Sequence, residues 1–249
     1  GKPARQYVKR EPNRMRSGLI PQANLDTEIL RDVISLAYNR KGHLLYVNEG
    51  KYGNGFNFYI DEVKKTGMSF GFIQETDTLH IGFENNSNFS VPLYENRSTW
   101  LSLMYALIHG ACQALQIERG DIDGVLFPIK QGNTWQQKIV LYDNVPGGAG
   151  HVRNIKENII EVLEKTFDVL NCEDCAEDTS CYRCLKDYNN QYFHDELVRG
   201  PSLAFITRVL SYIEPMDENA VSVSLPNNQT WLYRKVKSAK TSIRIAFDQ

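Results

Sequence analysis

Four cysteines, Cys172, Cys175, Cys181 and Cys184, stand in a C-x2-C-x5-C-x2-C arrangement within thirteen residues. Thiolates are soft ligands, and a zinc ion takes four of them at tetrahedral corners about 2.3 Å away. Each C-x2-C knuckle offers two converging sulfurs from a tight turn, and the five-residue connection lets the two pairs meet. Zinc (Zn2+) is the expected ion. An iron–sulfur cluster also uses four thiolates and stays open on spacing alone. Disulfides need an oxidising compartment, and a redox C-x-x-C stands once rather than twice in so short a run. Glu173, Asp174, Glu177 and Asp178 interleave with the cysteines. They read as solvating charge, because a tetrathiolate zinc centre is already net negative.

Catalytic chemistry finds less support. A catalytic zinc keeps an open position for water, and four well-spaced cysteines leave none. A zinc deaminase needs H-x-E ahead of P-C-x-x-C, whereas His194-Asp-Glu196 follows the cysteines and no proline precedes either pair. No Walker motif is present, so an ATP-driven motor is not encoded here. His109 and Cys112 lie one helical turn apart, within reach of a thiol–imidazole pair, but no carboxylate at helical spacing would orient the ring. They read as a half-buried histidine beside an inert core cysteine.

Two features could meet a phosphate backbone. Arg183 sits between two cysteines of the second knuckle, where its Cα would be held rigidly while the guanidinium projects outward, and Lys186 follows just after. The turn Asp143-Asn-Val-Pro-Gly-Gly-Ala-Gly150 joins a strand to a helix, so the Gly147 and Gly148 amides could face an anion. A close structural crossover is the competing reading of that turn. Arg183 could equally pair with one of the neighbouring carboxylates.

The elements that must position these groups are legible from periodicity. Ile139 to Tyr142 reads as a buried strand, and Ala149 to Leu170 as an amphipathic helix burying Val152, Ile155, Ile159, Val162, Leu163 and Phe167. A second helix is expected from about Thr99 to Ile117, with Ser98 or Thr99 as its N-cap. Ile29 to Leu36 fits helical spacing but could hide a strand. Strands are expected at His43–Val47, Phe56–Ile60, Met68–Ile73, Leu79–Phe83 and from Val125, with Gln74 to Thr78 as a hairpin loop. Gly200-Pro201 opens a further helix through Leu210. The expected class is α+β: a mixed, largely antiparallel sheet packed with helices, plus the pair of zinc knuckles.

The chain of 249 residues has a formal charge of -2, and its basic residues gather at its ends. Residues 1–20 hold six Lys or Arg against one Glu, and residues 231–249 hold five against one Asp. The organisation expected is a basic linker or arm over 1–24, an α+β zinc-binding domain over 25–213, and the start of a following domain over 214–249. No apolar run approaches the ~18 residues a membrane span needs. With no secretory pattern in the basic first residues, a cytoplasmic location is expected.

Ile139-Val-Leu-Tyr-Asp-Asn-Val-Pro-Gly-Gly-Ala-Gly150, a helix, and two knuckles ending Cys181-Tyr-Arg-Cys-Leu185 together resemble the zinc-binding domain of mitomycin-repair helicases. The resemblance is specific over about 98–210. It implies a non-catalytic module of a bacterial DNA-repair or antiphage-defence protein (the DISARM type included), bracing a helicase motor in cis or in trans, contacting DNA weakly, or both. By the same likeness the four cysteines are structural zinc ligands. Asn190-Gln-Tyr-Phe-His-Asp-Glu-Leu-Val-Arg199 departs from the repair-helicase pattern and lies nearer the defence variants. Trp231 to Phe247 faintly resembles the entry to a phospholipase D-type nuclease, but no histidine is followed two residues later by lysine. The alternatives are a nuclease component whose active site is incomplete here, and a protein–protein adaptor.

Overall fold

The computed structural model describes residues 25, 27–48, 56–60, 63–68, 70–131 and 133–213. The basic arm over 1–24 and the segment over 214–249 lie outside the described residues.

The framework is an antiparallel sheet of five strands: β1 (Thr27–Leu30), β2 (Ile34–Asn48), β5 (Phe70–Phe83), β6 (Ile122–Gln131) and β7 (Thr134–Asp143). Their order across the sheet is β1-β2-β5-β7-β6. Between β2 and β5 in sequence, β3 (Phe56–Ile60) and β4 (Val63–Met68) form a separate two-stranded ribbon. Residues two apart on a strand share a face. In register, Leu36 opposes Ile81, Ile81 opposes Ile139, and Ile139 opposes Leu126. Leu36, Ile81 and Ile139 are all buried. This alternation fixes one side of the sheet against the helices.

The helical layer comprises α1 (Arg97–Leu115), α2 (His151–Glu157), α3 (Ile159–Leu170) and α4 (Arg199–Ile213). Every residue of α1 from Thr99 to Ile108 is buried, so this helix runs through the core rather than along its surface. It packs against α3, α4 and the strands β6 and β7. Gly110 is required where α1 crosses α3, since a Cβ there would stand 2.7 Å from the Thr166 backbone nitrogen. At the far end, Phe205 of α4 sets its ring 4.9 Å edge-on from Phe83 and 5.6 Å from Phe89.

One open reading is decided and three local expectations are corrected. Ile29 to Leu36 is not helical: β1 and β2 meet at a tight reversal in which Arg31 and Asp32 take positive φ (50° and 56°). Gln74 to Thr78 is not a loop but the middle of the single long strand β5. There the Thr76 hydroxyl donates to the backbone oxygens of Asp143 (2.8 Å) and Val145 (3.0 Å), replacing the water a polar run would otherwise seek. The expected helix over 149–170 breaks at Asn158, whose side chain donates back to Asn154 (2.8 Å to Oδ1) and separates α2 from α3. The cap of α1 is Asn96, with no side-chain capping bond, rather than Ser98 or Thr99.

Candidate metal centre

The first knuckle starts two residues beyond the end of α3, where the Asn171 amide closes the helix on the Phe167 carbonyl (2.8 Å) and delivers Cys172. The second knuckle turns on one acceptor. The Cys181 carbonyl takes the amides of Cys184, Leu185 and Lys186 at 3.2, 3.1 and 3.0 Å. Leu185 and Cys184 are fully buried, so the second knuckle is rooted in the core, whereas Tyr182 and Arg183 at its tip are exposed. The Cys181 amide donates to Cys184 Sγ (3.2 Å), which stabilises charge on that sulfur.

All four sulfurs lie within 4.8 Å of one another. Cys172–Cys181, Cys175–Cys184 and Cys181–Cys184 are each 3.7 Å apart. A tetrahedron with zinc–sulfur bonds of about 2.3 Å has edges of about 3.8 Å, so this spacing suits one ion. It is far beyond the about 2.05 Å of a disulfide bond. A cubane cluster distributes its thiolates over four irons and spreads them wider than a single ion does. The residues therefore fit a mononuclear tetrathiolate site. Burial pushes the Cys184 thiol up to about 12. Burial acts the same way on Cys181, but there the Arg183 amide and the neighbouring Cys172 and Cys184 outweigh it and hold the thiol below its ordinary value. Metal binding must displace such protons, so loading is pH-dependent.

Immediately after the knuckles, Asp187 joins three parts of the fold. Its Oδ1 accepts the amides of Asn189 and Asn190, capping the short 3-10 turn Tyr188–Phe193, and the Asp187 amide in turn donates to Asn190 Oδ1 (2.9 Å). Its Oδ2 meets His109 Nε2 of α1 at 3.0 Å and Arg119 Nε at 2.9 Å. Burial would raise the Asp187 carboxyl, yet the His109 hydrogen bond and the Arg119 charge bring it down to about 2. The carboxylate for His109, missing at helical spacing, thus arrives from 78 residues away. It ties the histidine to structure, while burial pushes the Cys112 thiol up, away from thiolate chemistry.

The glycine turn does not present the free amides expected of a phosphate cradle. The Gly147 amide donates to the Glu75 carbonyl (2.8 Å) and the Gly148 amide to the Val145 carbonyl (2.9 Å). The anion at the start of α2 is supplied by the protein itself. Asp143, fully buried at the end of β7, accepts the amides of Ala149 (2.6 Å), His151 (3.1 Å) and Val152 (3.0 Å). Gly148 holds a positive φ of 80° with its Cα against the Asp77 carboxylate, where any side chain would collide. The turn is a crossover. Arg183, 78% exposed, donates to Asp174 at 2.7 Å, closing one knuckle onto the other, and Lys186 is half-buried.

The roles of four residues central to this site were not read from the sequence. Asp187 and Asn190 stand at capping-box spacing and were findable on that ground. Asp143 precedes a glycine run at the end of a strand, a position where a carboxylate caps the next helix. Arg199 has no local signature, because its partners are carbonyls of Cys175 and Leu170, brought near only by the fold.

Residues 103–185 match the MrfA Zn-binding domain. That stretch contains β6, β7, the glycine turn, α2, α3 and all four cysteines, most of what builds the site. Over 80 residues the chain is 35% identical to the Druantia protein DruE of Escherichia coli (strain UMEA 4076-1), which is 31% of this chain and 4% of DruE. The crystal structure of the helicase MrfA bound to DNA shares the fold at a TM-score of 0.52, with 16% identity over 77% of this chain and 24% of MrfA. MrfA bound to DNA and AMPPNP aligns over 74% of this chain and 22% of MrfA, with a TM-score of 0.41 and 12% identity. The chain thus spans a small fraction of each of these relatives. Among the described residues no helix is long and apolar enough to cross a membrane.

Proposed function

We propose that this chain is the zinc-binding module of a helicase-associated protein of antiphage defence or DNA repair. Cys172, Cys175, Cys181 and Cys184 hold the ion as a structural staple, and the module has no ATPase or nuclease activity of its own. The observation that carries this reading is the closed set of four sulfurs spaced for one ion, which leaves no position for a reacting water. In this reading the module braces a helicase motor, in cis or in trans, in the cytoplasm.

DNA contact is assigned to the tip of the second knuckle, through Arg183 and Lys186. Its support is the rigid mounting of Arg183 between two of the cysteines and the adjoining Tyr182, which is 72% exposed. The Asp174 partner is also at the surface, where an ion pair gains little over water, so a phosphate can take its place. The glycine amides have no part in this contact, being bonded internally.

Binding of a short DNA to the full chain, followed as salt is varied, tests the proposal. Affinity is expected to fall with salt at a slope of about -0.9 per phosphate neutralised, and Arg183→Ala should reduce the slope by roughly one. Binding that ignores both salt and Arg183 would assign the knuckle tip to a protein partner instead. DNA cleavage abolished by a single side-chain change within the chain would overturn the non-catalytic reading.

A further inference from the structure

Arg199, at the start of α4, is only 7% exposed. Among the described residues no carboxylate lies within ion-pair distance of it; the ten ion pairs found there involve other side chains. A buried guanidinium without a counter-charge is costly, and proteins seldom keep one. Its hydrogen bonds show what it faces. Nε and Nη2 donate to the Cys175 carbonyl at 3.2 and 2.7 Å, and Nη1 donates to the Leu170 carbonyl at 3.1 Å. Leu170 is the last residue of α3, where the helix dipole places partial negative charge, but that end carries far less than a full unit.

The remaining negative charge is at the cysteines. Four thiolates around a divalent ion leave a net charge of -2, and the guanidinium bonds to the backbone of one of those cysteines. The backbone of Arg199 is stitched to the connection between the knuckles. The Arg199 amide donates to the Thr179 carbonyl (3.1 Å), and the next amide, Gly200, donates to the Glu177 carbonyl (2.8 Å). Gly200 lies so close that a Cβ would sit 2.8 Å from that oxygen.

We propose that Arg199 is a positioning and charge-balancing residue of the metal centre: its guanidinium offsets the negative tetrathiolate and fixes the first knuckle by binding the Cys175 and Leu170 carbonyls together. This assignment rests on the four-cysteine reading above and goes beyond it. Metal affinity is then set partly by a residue fifteen positions beyond the last ligand, on a different element. Docking of α4 and filling of the site become linked, because the same residue carries both. Partners that support a ligand set from outside typically change metal affinity 10–100-fold when removed.

The test is zinc competition against a chromophoric chelator on the full chain, comparing wild type, Arg199→Met, Arg199→Lys and, as a control on the same helix, Arg208→Met. Arg208 is exposed and reaches Ser90, away from the knuckles. Arg199→Met should bind zinc roughly 10–100-fold more weakly, with faster release, and its melting temperature should recover towards wild type in excess zinc. Arg199→Lys keeps the charge but cannot bridge both carbonyls, and should fall between wild type and Met. Arg208→Met should match wild type. If Arg199→Met does not fold, Arg199→Lys alone decides: an unchanged zinc affinity overturns the proposal. It is also overturned if Arg199→Met is destabilised equally with and without excess zinc, which would make the residue a helix cap only. A wild type that holds no zinc would instead overturn the metal centre itself, and the assignment with it.

Discussion

Asp143→Asn tests the claim that the glycine turn is an internally closed crossover. In the wild type the carboxylate is fully buried and accepts three amides, those of Ala149, His151 and Val152. A hydrogen bond to a charged group contributes about 1.5–3 kcal/mol, and these three share one carboxylate, so they do not simply add. Asparagine has the same shape but one acceptor oxygen. In either orientation its NH2 group faces at least one backbone N–H, leaving a buried donor unpaired against another donor. The expected loss is about 3 kcal/mol, which for a chain of this size lowers the melting temperature by roughly 6–12 °C. Chemical denaturation of zinc-saturated protein measures it. Phosphate up to tens of millimolar should leave the wild type unchanged, since its own carboxylate occupies the helix start. A loss below about 1 kcal/mol, or specific stabilisation of the wild type by phosphate, would refute the reasoning and reopen the turn as an anion site.

Two further outcomes follow from buried charge. Asp187→Asn should cost about 2 kcal/mol at neutral pH, from a carboxyl held at about 2 against its ordinary 3.8 with only 17% side-chain exposure. Because the folded value is the lower one, that stability is complete above about pH 4 and lost as pH falls towards 2. The gap between variant and wild type should close over that window, and a constant gap would show that the charge is not its origin. His80 is held down to about 4 by burial and by the Lys138 charge, so it is neutral in the fold and protonation favours the unfolded chain. Stability should fall by about 3 kcal/mol as pH drops from 6.5 to 4, and His80→Gln, titrated in parallel, should lack that component.

The sequence made legible what depends on local order. Two cysteine pairs at knuckle spacing predicted a site that the fold closes to 3.7 Å sulfur separations, and the alternation of Leu79, Ile81 and Phe83 identified a face that is buried. What stayed hidden depends on distant partners. Gln74 to Thr78 has the length of a hairpin loop between two strand signals, yet Thr76 is fully buried and bonded to residues 67 and 69 positions away. A hydrophobic pattern cannot report a polar side chain satisfied by another strand's backbone. The glycines of the turn suggested free amides, but whether an amide is free depends on which acceptor the fold sets against it, here the Glu75 carbonyl for Gly147 and the Val145 carbonyl for Gly148. His109 lacked a carboxylate for the same reason: Asp187 is near only once α1 and the knuckles are packed.

The central claim is that Cys172, Cys175, Cys181 and Cys184 bind one zinc ion that the fold needs. Elemental analysis of the purified full chain, beside Cys184→Ser, tests it most directly. The account predicts one zinc per chain in the wild type, no visible absorption, and in the variant both lost zinc and a lowered melting temperature, because the unfolded chain has no preformed site. Iron with visible absorption, or soluble and fully stable protein containing no metal, would contradict it.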